Sequence, residues 1–263
     1  MQQILRSLPP GAKVLDLGSG PGSFDAADCP LTIVRADLSA AGSGNFVQCS
    51  SDRLPFRDRA FQALILNHSF EHFEHLQETV NEIARMLAPD GLLYIAVPDA
   101  STFTDRVYRW LGRGGGHVNL FTDRDAVPRL ITAATGLKHV GTRVLCTSLS
   151  FLNRRNLRTR PQTKLLLFAN GNEAFVRALT YLLRCLDRLF HWRSSVYGWA
   201  FYFGEALDPE LTTWSNVCVR CGSAEPSALL KPARRPLLPD VYACPKCGTR
   251  NFFTADEGFA YLR

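Results

Sequence analysis

The stretch VLDLGSGPG, residues 14–22, decides the fold. An apolar run carrying Asp16 leads into three glycines within five residues, Gly18, Gly20 and Gly22. A short apolar run bounded by turn residues reads as a buried strand. Glycines after it permit positive φ and let a ligand approach the main chain closely. A plain tight turn between strand and helix is the competing reading of these residues alone.

Working outward, LTIVRADLS (31–39), NFVQCSSD (45–52), ALILNHS (63–69) and GLLYIAVPD (91–99) read as four further strands. Between the last two lies FEHLQETVNEIARMLAPDG, whose Leu76, Val80, Ile83 and Leu87 recur at helical spacing before Pro89 to Gly91 ends the helix. DRDAVPRLITAATG (123–136) predicts a second helix, capped by Thr122 or Asp123 and stopped by Gly136. LKHVGTRVLC (137–146) and SVYGWAFYFGE (195–205) read as a sixth and a seventh strand. Strands alternating with helices imply a parallel α/β sheet, with ligands at the carboxyl ends of the strands where strand order reverses. Asp37 closes the second strand, twenty-one residues after Asp16, where an acid can accept hydrogen bonds from both hydroxyls of a ribose. In SSDRLPF (50–56), Asp52 could accept from an exocyclic amine while Leu54 and Phe56 flank a flat ring. The glycine spacing is G-x-G-x-G, and Ser23 holds the place of the third glycine of a dinucleotide fingerprint, which argues against NAD.

VLDLGSGPG, ADLS, SDRLPF, FQALILNHSFEHF and LAPDGLLYIAVPD, in this order, resemble the class I S-adenosylmethionine-dependent methyltransferases, in particular the type 11 small-molecule group. The resemblance covers roughly residues 10–145. It implies a Rossmann-like α/β fold with a seven-stranded sheet, parallel except for an antiparallel last strand. It further implies that Asp16, Gly18 and Gly20 hold the methionine end of S-adenosylmethionine, with Ser19 and Gly22 also in the cofactor site. Asp37, with Leu38 beside it, binds the ribose; Ser51, Asp52, Arg53 and Leu54 lie along the adenine; Asn67 and His68 border the methyl-transfer site.

Methyl transfer from a sulfonium needs alignment more than acid–base help. A base serves where the acceptor is a hydroxyl or an ammonium. Candidates lie in NHSFEHFEH (67–75), where His68, His72 and His75 could share a helix face, and where Glu71 and His72 resemble an acid–histidine pair of the family. A second candidate is His117 in GGGHVNLFT (114–122). Tyr108, Arg109 and Trp110, from PDASTFTDRVYRWLGR, are expected to line a substrate pocket or to pack in the core.

Charge and cysteine are both unevenly placed. The chain of 263 residues carries a net charge of +6, and residues 151–200 hold nine Lys and Arg against two acids. Arg154, Arg155, Arg158, Arg160 and Lys164 come first, then a helix with Phe175, Leu179, Leu182, Leu183, Leu186 and Phe190 as its apolar stripe. Such a basic amphipathic segment can pack on the sheet, lie on an anionic membrane through residues 173–193, or meet RNA phosphates. Cys29, Cys49, Cys146 and Cys185 read as buried hydrophobes. Cys218 and Cys221, then Cys244 and Cys247, form two C-x-x-C pairs twenty-two residues apart, a four-thiolate metal pattern. The tail resembles a zinc ribbon of the rubredoxin-like kind, holding structural Zn2+ and open to a protein partner, with Gly222 and Gly248 expected at positive φ. The expected organisation is a methyltransferase core (1–150), a basic helical insertion (151–195), a last strand and linker (196–213) and the ribbon (214–263). No stretch resembles a secretory leader or a membrane span, so a cytoplasmic protein, at most peripheral to a membrane, is expected. The expected substrate is a small or lipid- or sugar-linked intermediate methylated at oxygen or nitrogen. The alternatives are an RNA held by ribbon and insertion, and a non-catalytic binding module.

Overall fold

The computed structural model describes residues 1–20, 22–24, 30–39, 44–111, 116–147, 149–152, 172–205, 214–233 and 240–253, without the side chains of Arg188 and Trp214. The basic run Arg154 to Lys164, Cys29 and the glycines at 114 and 115 lie outside the described residues. The strands are β1 (Lys13–Leu17), β2 (Thr32–Asp37), β3 (Phe46–Gln48), β4 (Phe61–Asn67), β5 (Leu87–Pro98), β6 (His139–Cys146), β7 (Val196–Phe203), β8 (Trp214–Val217), β9 (Ala224–Pro226), β10 (Val241–Ala243) and β11 (Arg250–Phe252). The helices are α1 (Gln2–Ser7), α2 (Leu76–Met86), α3 (Phe103–Leu111), α4 (Ala126–Thr135) and α5 (Glu173–Phe190).

The sheet runs β3-β2-β1-β4-β5-β7-β6-β8-β9. β1 pairs in parallel with β2 and β4, β2 with β3, and β4 with β5. Strand order therefore reverses between β1 and β4, which places the ligand crevice beyond Leu17 and Asn67. The amides of Thr147 and Gly204 donate to the carbonyls of Ser195 and Lys138, tying the end of β6 to the start of β7 and the reverse. β7 is thus antiparallel to β6, as the family resemblance implies. Among the described residues the sheet has nine strands rather than the expected seven. The extra two, β8 and β9, flank the first cysteine pair, and β8 pairs in parallel with β6 through Val144↔Trp214 to Cys146↔Asn216. The β8–β9 hairpin continues the sheet past β6 and pairs its edge.

The chain divides into two compact units. The first comprises Met1–Pro98, His117–Thr142 and Trp199–Leu211; the second comprises Asp99–Gly116, Arg143–Gly198 and Thr212–Arg263. The first unit is built on fully buried Val14, Leu15, Leu64, Ile65, Leu66, Leu93 and Ile95 of the central strands. These near-continuous apolar runs suit strands covered on both faces. α2 turns Val80 and Ile83 inward, as its helical spacing predicts, and Met86 with them; it ends at Met86, so Leu87 and the Pro89–Gly91 stretch open β5 instead of closing the helix. α4 ends on Gly136 at φ 72°, the left-handed cap that glycine favours.

In the second unit the insertion helix and the cysteine tail share one core. Leu111, Leu149, Leu152, Val176, Leu183 and Val219 pack together. Arg220 donates twice to Glu173, at 2.8 and 3.0 Å. Arg184 is buried and donates to the carbonyl of Phe252 at 2.6 Å, while Arg193 pairs with the buried carboxylate of Asp99 at 2.6 Å. The apolar stripe expected on α5 is rotated. Val176, Thr180, Leu183 and Asp187 face inward, whereas Phe175, Leu182, Leu189 and Phe190 stand exposed. Asp187 faces inward because its carboxylate accepts from the amides of Ser194 and Ser195 and from the Ser195 hydroxyl, at 2.6–2.7 Å. Hydrophobicity alone cannot register such a satisfied buried acid. The aromatic and basic stretch after β5 forms α3, in which Arg109 pairs with buried Asp105, Tyr108 meets Phe151 edge-on and Trp110 is half exposed.

Candidate functional site

The glycine turn follows β1 directly, and Gly18, Gly20 and Gly22 have φ of 67°, 50° and 117°. They are bare for different reasons. A Cβ on Gly18 would come within 2.4 Å of Ser69 Cβ, and one on Gly22 within 2.8 Å of the Arg35 guanidinium. A Cβ on Gly20 would meet nothing within 4 Å, so this glycine faces open space. Asp16 is fully buried and closes the turn on itself, accepting from the amide of Ser23 at 2.9 Å and its hydroxyl at 2.6 Å. Burial pushes the Asp16 carboxyl up, and the Ser23 bonds and the Arg35 charge oppose that rise.

Asp37, at the end of β2, accepts from the amide of Gly20 at 2.7 Å and of Ser39 at 2.9 Å. These bonds fix its carboxylate beside the turn and leave lone pairs for a ligand's hydroxyls. Leu38 next to it is 71% exposed. After β3, Ser51 bonds Thr79 of α2 at 2.9 Å, and Asp52 and Arg53 lie toward solvent. A hydrogen bond from Ser50 holds the Asp52 carboxyl below its usual range. Leu54 is buried. Its amide donates to Glu82 at 2.8 Å, and Arg85 grips the carbonyls of Leu54 and Phe56 at 3.0 and 2.7 Å. The Glu82–Arg85 clamp thus shapes the segment expected along the adenine.

Asn67 and His68 lie at the carboxyl end of β4. His68 has φ 55°, and its amide donates to Ala96. Burial pushes its imidazole down to about 4, helped by the neighbouring His117 and His72. His68, His72 and His75 do not share a helix face. Phe70–His72 is a single 3-10 turn, and His75 is the N-cap residue of α2. The positive φ at His68 breaks the helical path between them.

The two candidate catalytic stretches nevertheless converge. The amides of Val118 and Asn119 both donate to the carbonyl of Glu71 at 2.9 Å, and the Asn119 side chain donates to that of Phe73 at 2.7 Å. Phe121 stacks on Phe70 at 5.7 Å. His117 is thereby brought to His72, with ring centroids 5.0 Å apart, and Glu71 Oε1 lies 3.9 Å from His72 Nε2 and 4.0 Å from His68 Nδ1. Glu71 is buried, His117 is half-buried and the His72 side chain is 37% exposed. Sequence singled out His117 and His72 separately. Asn119, Ser69 and Glu82 went unremarked, because each acts through a main-chain partner that carries no sequence signal.

In the second unit, Cys218, Cys221, Cys244 and Cys247 bring their sulfurs within 4.8 Å of one another. Cys218 and Cys247 are 3.6 Å apart, and Cys221 and Cys244 3.7 Å. Both cysteine turns have one geometry: the first cysteine's amide bonds the carbonyl five residues on, and its carbonyl accepts from Gly222 or Gly248 at 3.0 or 2.8 Å. Those glycines have φ of 72° and 70°, as expected. Cys146 is buried, and Cys49 and Cys185 are half-buried.

A family model described as "Methyltransferase domain" matches residues 1–140. A malonyl-[acyl-carrier protein] O-methyltransferase of Methylococcus capsulatus is 28% identical over 142 residues, covering 48% of this chain and 52% of that protein. A mouse protein named "Probable tRNA methyltransferase 9B" is 33% identical over 107 residues, covering 37% and 24%. The chain thus spans about half or less of the length of these relatives. The crystal structure of a SAM-dependent methyltransferase from Archaeoglobus fulgidus superposes with a TM-score of 0.50 at 16% identity, over 74% of this chain and 86% of that one. That likeness concerns the fold alone. With more than half of its length matched by the family model, the protein belongs to the methyltransferase-domain family.

Proposed function

We propose that the protein binds S-adenosylmethionine across the carboxyl ends of β1, β2 and β4 and transfers its methyl group to a small or lipid- or sugar-linked intermediate. The observation that carries the cofactor reading is the open face of Gly20 beside the fixed carboxylate of Asp37. The methionine end would lie on the Gly18–Gly22 turn, the ribose on Asp37 and the adenine between Leu38 and the Ser51–Leu54 segment. Asn67 and His68 would border the methyl group. Glu71, His72 and His117 would meet the acceptor, where an imidazole can take a proton or hold a cation that acidifies the hydroxyl. The resemblance to the type 11 small-molecule group supports this reading, as does the malonyl-[acyl-carrier protein] O-methyltransferase among the relatives.

We also propose that the four cysteines hold structural zinc. Zn–S bonds of about 2.3 Å set tetrahedral S···S separations near 3.8 Å, close to the observed 3.6 and 3.7 Å. Four thiolates leave no open position, so the metal braces rather than reacts, and the same module is open to a protein partner. Exposed Phe175, Leu182, Leu189, Phe190 and Trp192 support peripheral membrane contact through residues 173–193. Among the described residues no helix is long and apolar enough to cross a membrane.

RNA is the second reading, favoured by the tRNA methyltransferase name among the relatives. The test is a labelling partition: the protein, cell extract and methyl-labelled cofactor are incubated, then lipid, RNA, protein and small molecules are separated. Label in lipid or small molecules supports the first reading. Label in RNA overturns it in favour of the second.

A further inference from the structure

Glu71, His72 and His117 differ from the cysteine cluster in kind. Their three ligand atoms lie within 4.8 Å of one another and come from two separate segments. The segment bearing His117 is fastened to the turn bearing Glu71 and His72 by three hydrogen bonds and the Phe70–Phe121 stack. All of these anchors act on the main chain or on phenylalanines, and they set where the ligand atoms stand.

We infer that Glu71, His72 and His117 form a two-histidine, one-carboxylate site for a divalent first-row transition cation. Two imidazoles on one metal, each with a metal–nitrogen bond of about 2.0–2.1 Å and an angle of roughly 90–110°, have ring centroids about 4.6–5.3 Å apart. The rings of His72 and His117 are 5.0 Å apart and tilted by 67°, which is edge geometry rather than stacking. The carboxylate must close by about 0.5–0.9 Å, since Glu71 Oε1 is 3.9 Å from His72 Nε2 and ligand atoms on such a cation sit roughly 3.0–3.4 Å apart. Side-chain rotation of His72, which is 37% exposed, supplies that. Two imidazoles with one carboxylate suit zinc, iron(II), cobalt(II) or nickel(II), not magnesium or calcium. Three protein donors leave open positions, the mark of a catalytic rather than a structural site.

The cation's role, though not its binding, rests on the methyl-transfer reading. An acceptor hydroxyl bound at an open position loses its proton to solvent more readily. The resulting oxygen anion attacks the sulfonium methyl. The C–O bond forms, the C–S bond breaks with its electron pair staying on sulfur, and S-adenosylhomocysteine leaves.

Cobalt(II) titration of the metal-stripped, reduced full-length protein separates the two sites, because only the cysteine site gives thiolate-to-metal charge-transfer bands. The expected result is a second equivalent without those bands. Its affinity falls at least about tenfold in His117→Ala and in His72→Ala, while the thiolate bands persist and S-adenosylmethionine still binds. A wild type that takes cobalt only with thiolate bands overturns the inference. So do variants that keep S-adenosylmethionine and bind the second cobalt like the wild type. Failure of every form, wild type included, to bind S-adenosylmethionine sinks the methyl-transfer reading and leaves the cobalt result to decide the metal site alone.

Discussion

Replacing Gly18 and Gly20 separately by alanine distinguishes a glycine needed for packing from one needed for a ligand. Both have positive φ, so either substitution forces an L residue into the left-handed region at about 1–2 kcal/mol. At Gly20 that is the whole cost to stability, since the new methyl meets nothing within 4 Å. At Gly18 the methyl would sit 2.4 Å from Ser69 Cβ and 2.9 Å from its Oγ. Ser69 cannot yield cheaply, because its hydroxyl donates to the carbonyl of Leu17 at 2.8 Å and its side chain is buried. Overpacking of this kind adds about 1–3 kcal/mol. Gly18→Ala is therefore expected to destabilise by about 2–5 kcal/mol, and Gly20→Ala by about 1–2 kcal/mol. Affinity should rank the other way among folded proteins: Gly20→Ala fills space meant for the cofactor and should weaken S-adenosylmethionine binding at least about tenfold. Denaturant unfolding gives the first ranking and titration calorimetry the second. Equal destabilisation by both substitutions, or undiminished cofactor affinity in Gly20→Ala, would refute the reasoning.

Three further outcomes follow from the geometry. Folded-state pKa at His68 is depressed from 6.5 to about 4, so the unfolded chain binds the extra proton between those values. Stability from this group is complete above about pH 6.5 and is lost as pH falls toward 4, by up to about 3 kcal/mol, less the screening that a 28% exposed side chain allows. His68→Asn, whose side chain tolerates positive φ, should flatten that slope in unfolding curves taken from pH 7 to 4. Arg85→Met should raise the dissociation constant for S-adenosylmethionine several-fold in calorimetry, because the Leu54 and Phe56 carbonyls lose their clamp. Stripping metal from the four-cysteine site, or Cys244→Ser, should cost about 3 kcal/mol or more, a fall of roughly 6–12 °C in Tm by scanning calorimetry. An unchanged Tm would remove the bracing role.

The central strands were legible because a strand buried on both faces is written as an unbroken apolar run, as in Val14–Leu17 and Leu64–Leu66. The helix Leu76–Met86 was legible by its spacing, and the glycine turns because positive φ selects glycine. What stayed hidden depends on contacts distant in sequence. The ninefold sheet arises from β8 pairing with β6, some seventy residues away, and nothing in WSNV announces its neighbour. The inward face of α5 was misread because Asp187 is satisfied by Ser194 and Ser195, and Arg184 by Phe252. His117 and Glu71 were legible as candidates, but their union needed the bonds from Val118 and Asn119 to the Glu71 carbonyl.

The central claim is that the carboxyl ends of β1, β2 and β4 hold S-adenosylmethionine. Titration calorimetry of that cofactor into the wild type and Asp37→Ala tests it most directly. The account predicts one cofactor per chain for the wild type and an affinity at least about tenfold weaker for Asp37→Ala, which loses two ribose hydrogen bonds. Equal affinity in the two proteins, or no binding by a folded wild type, would contradict it.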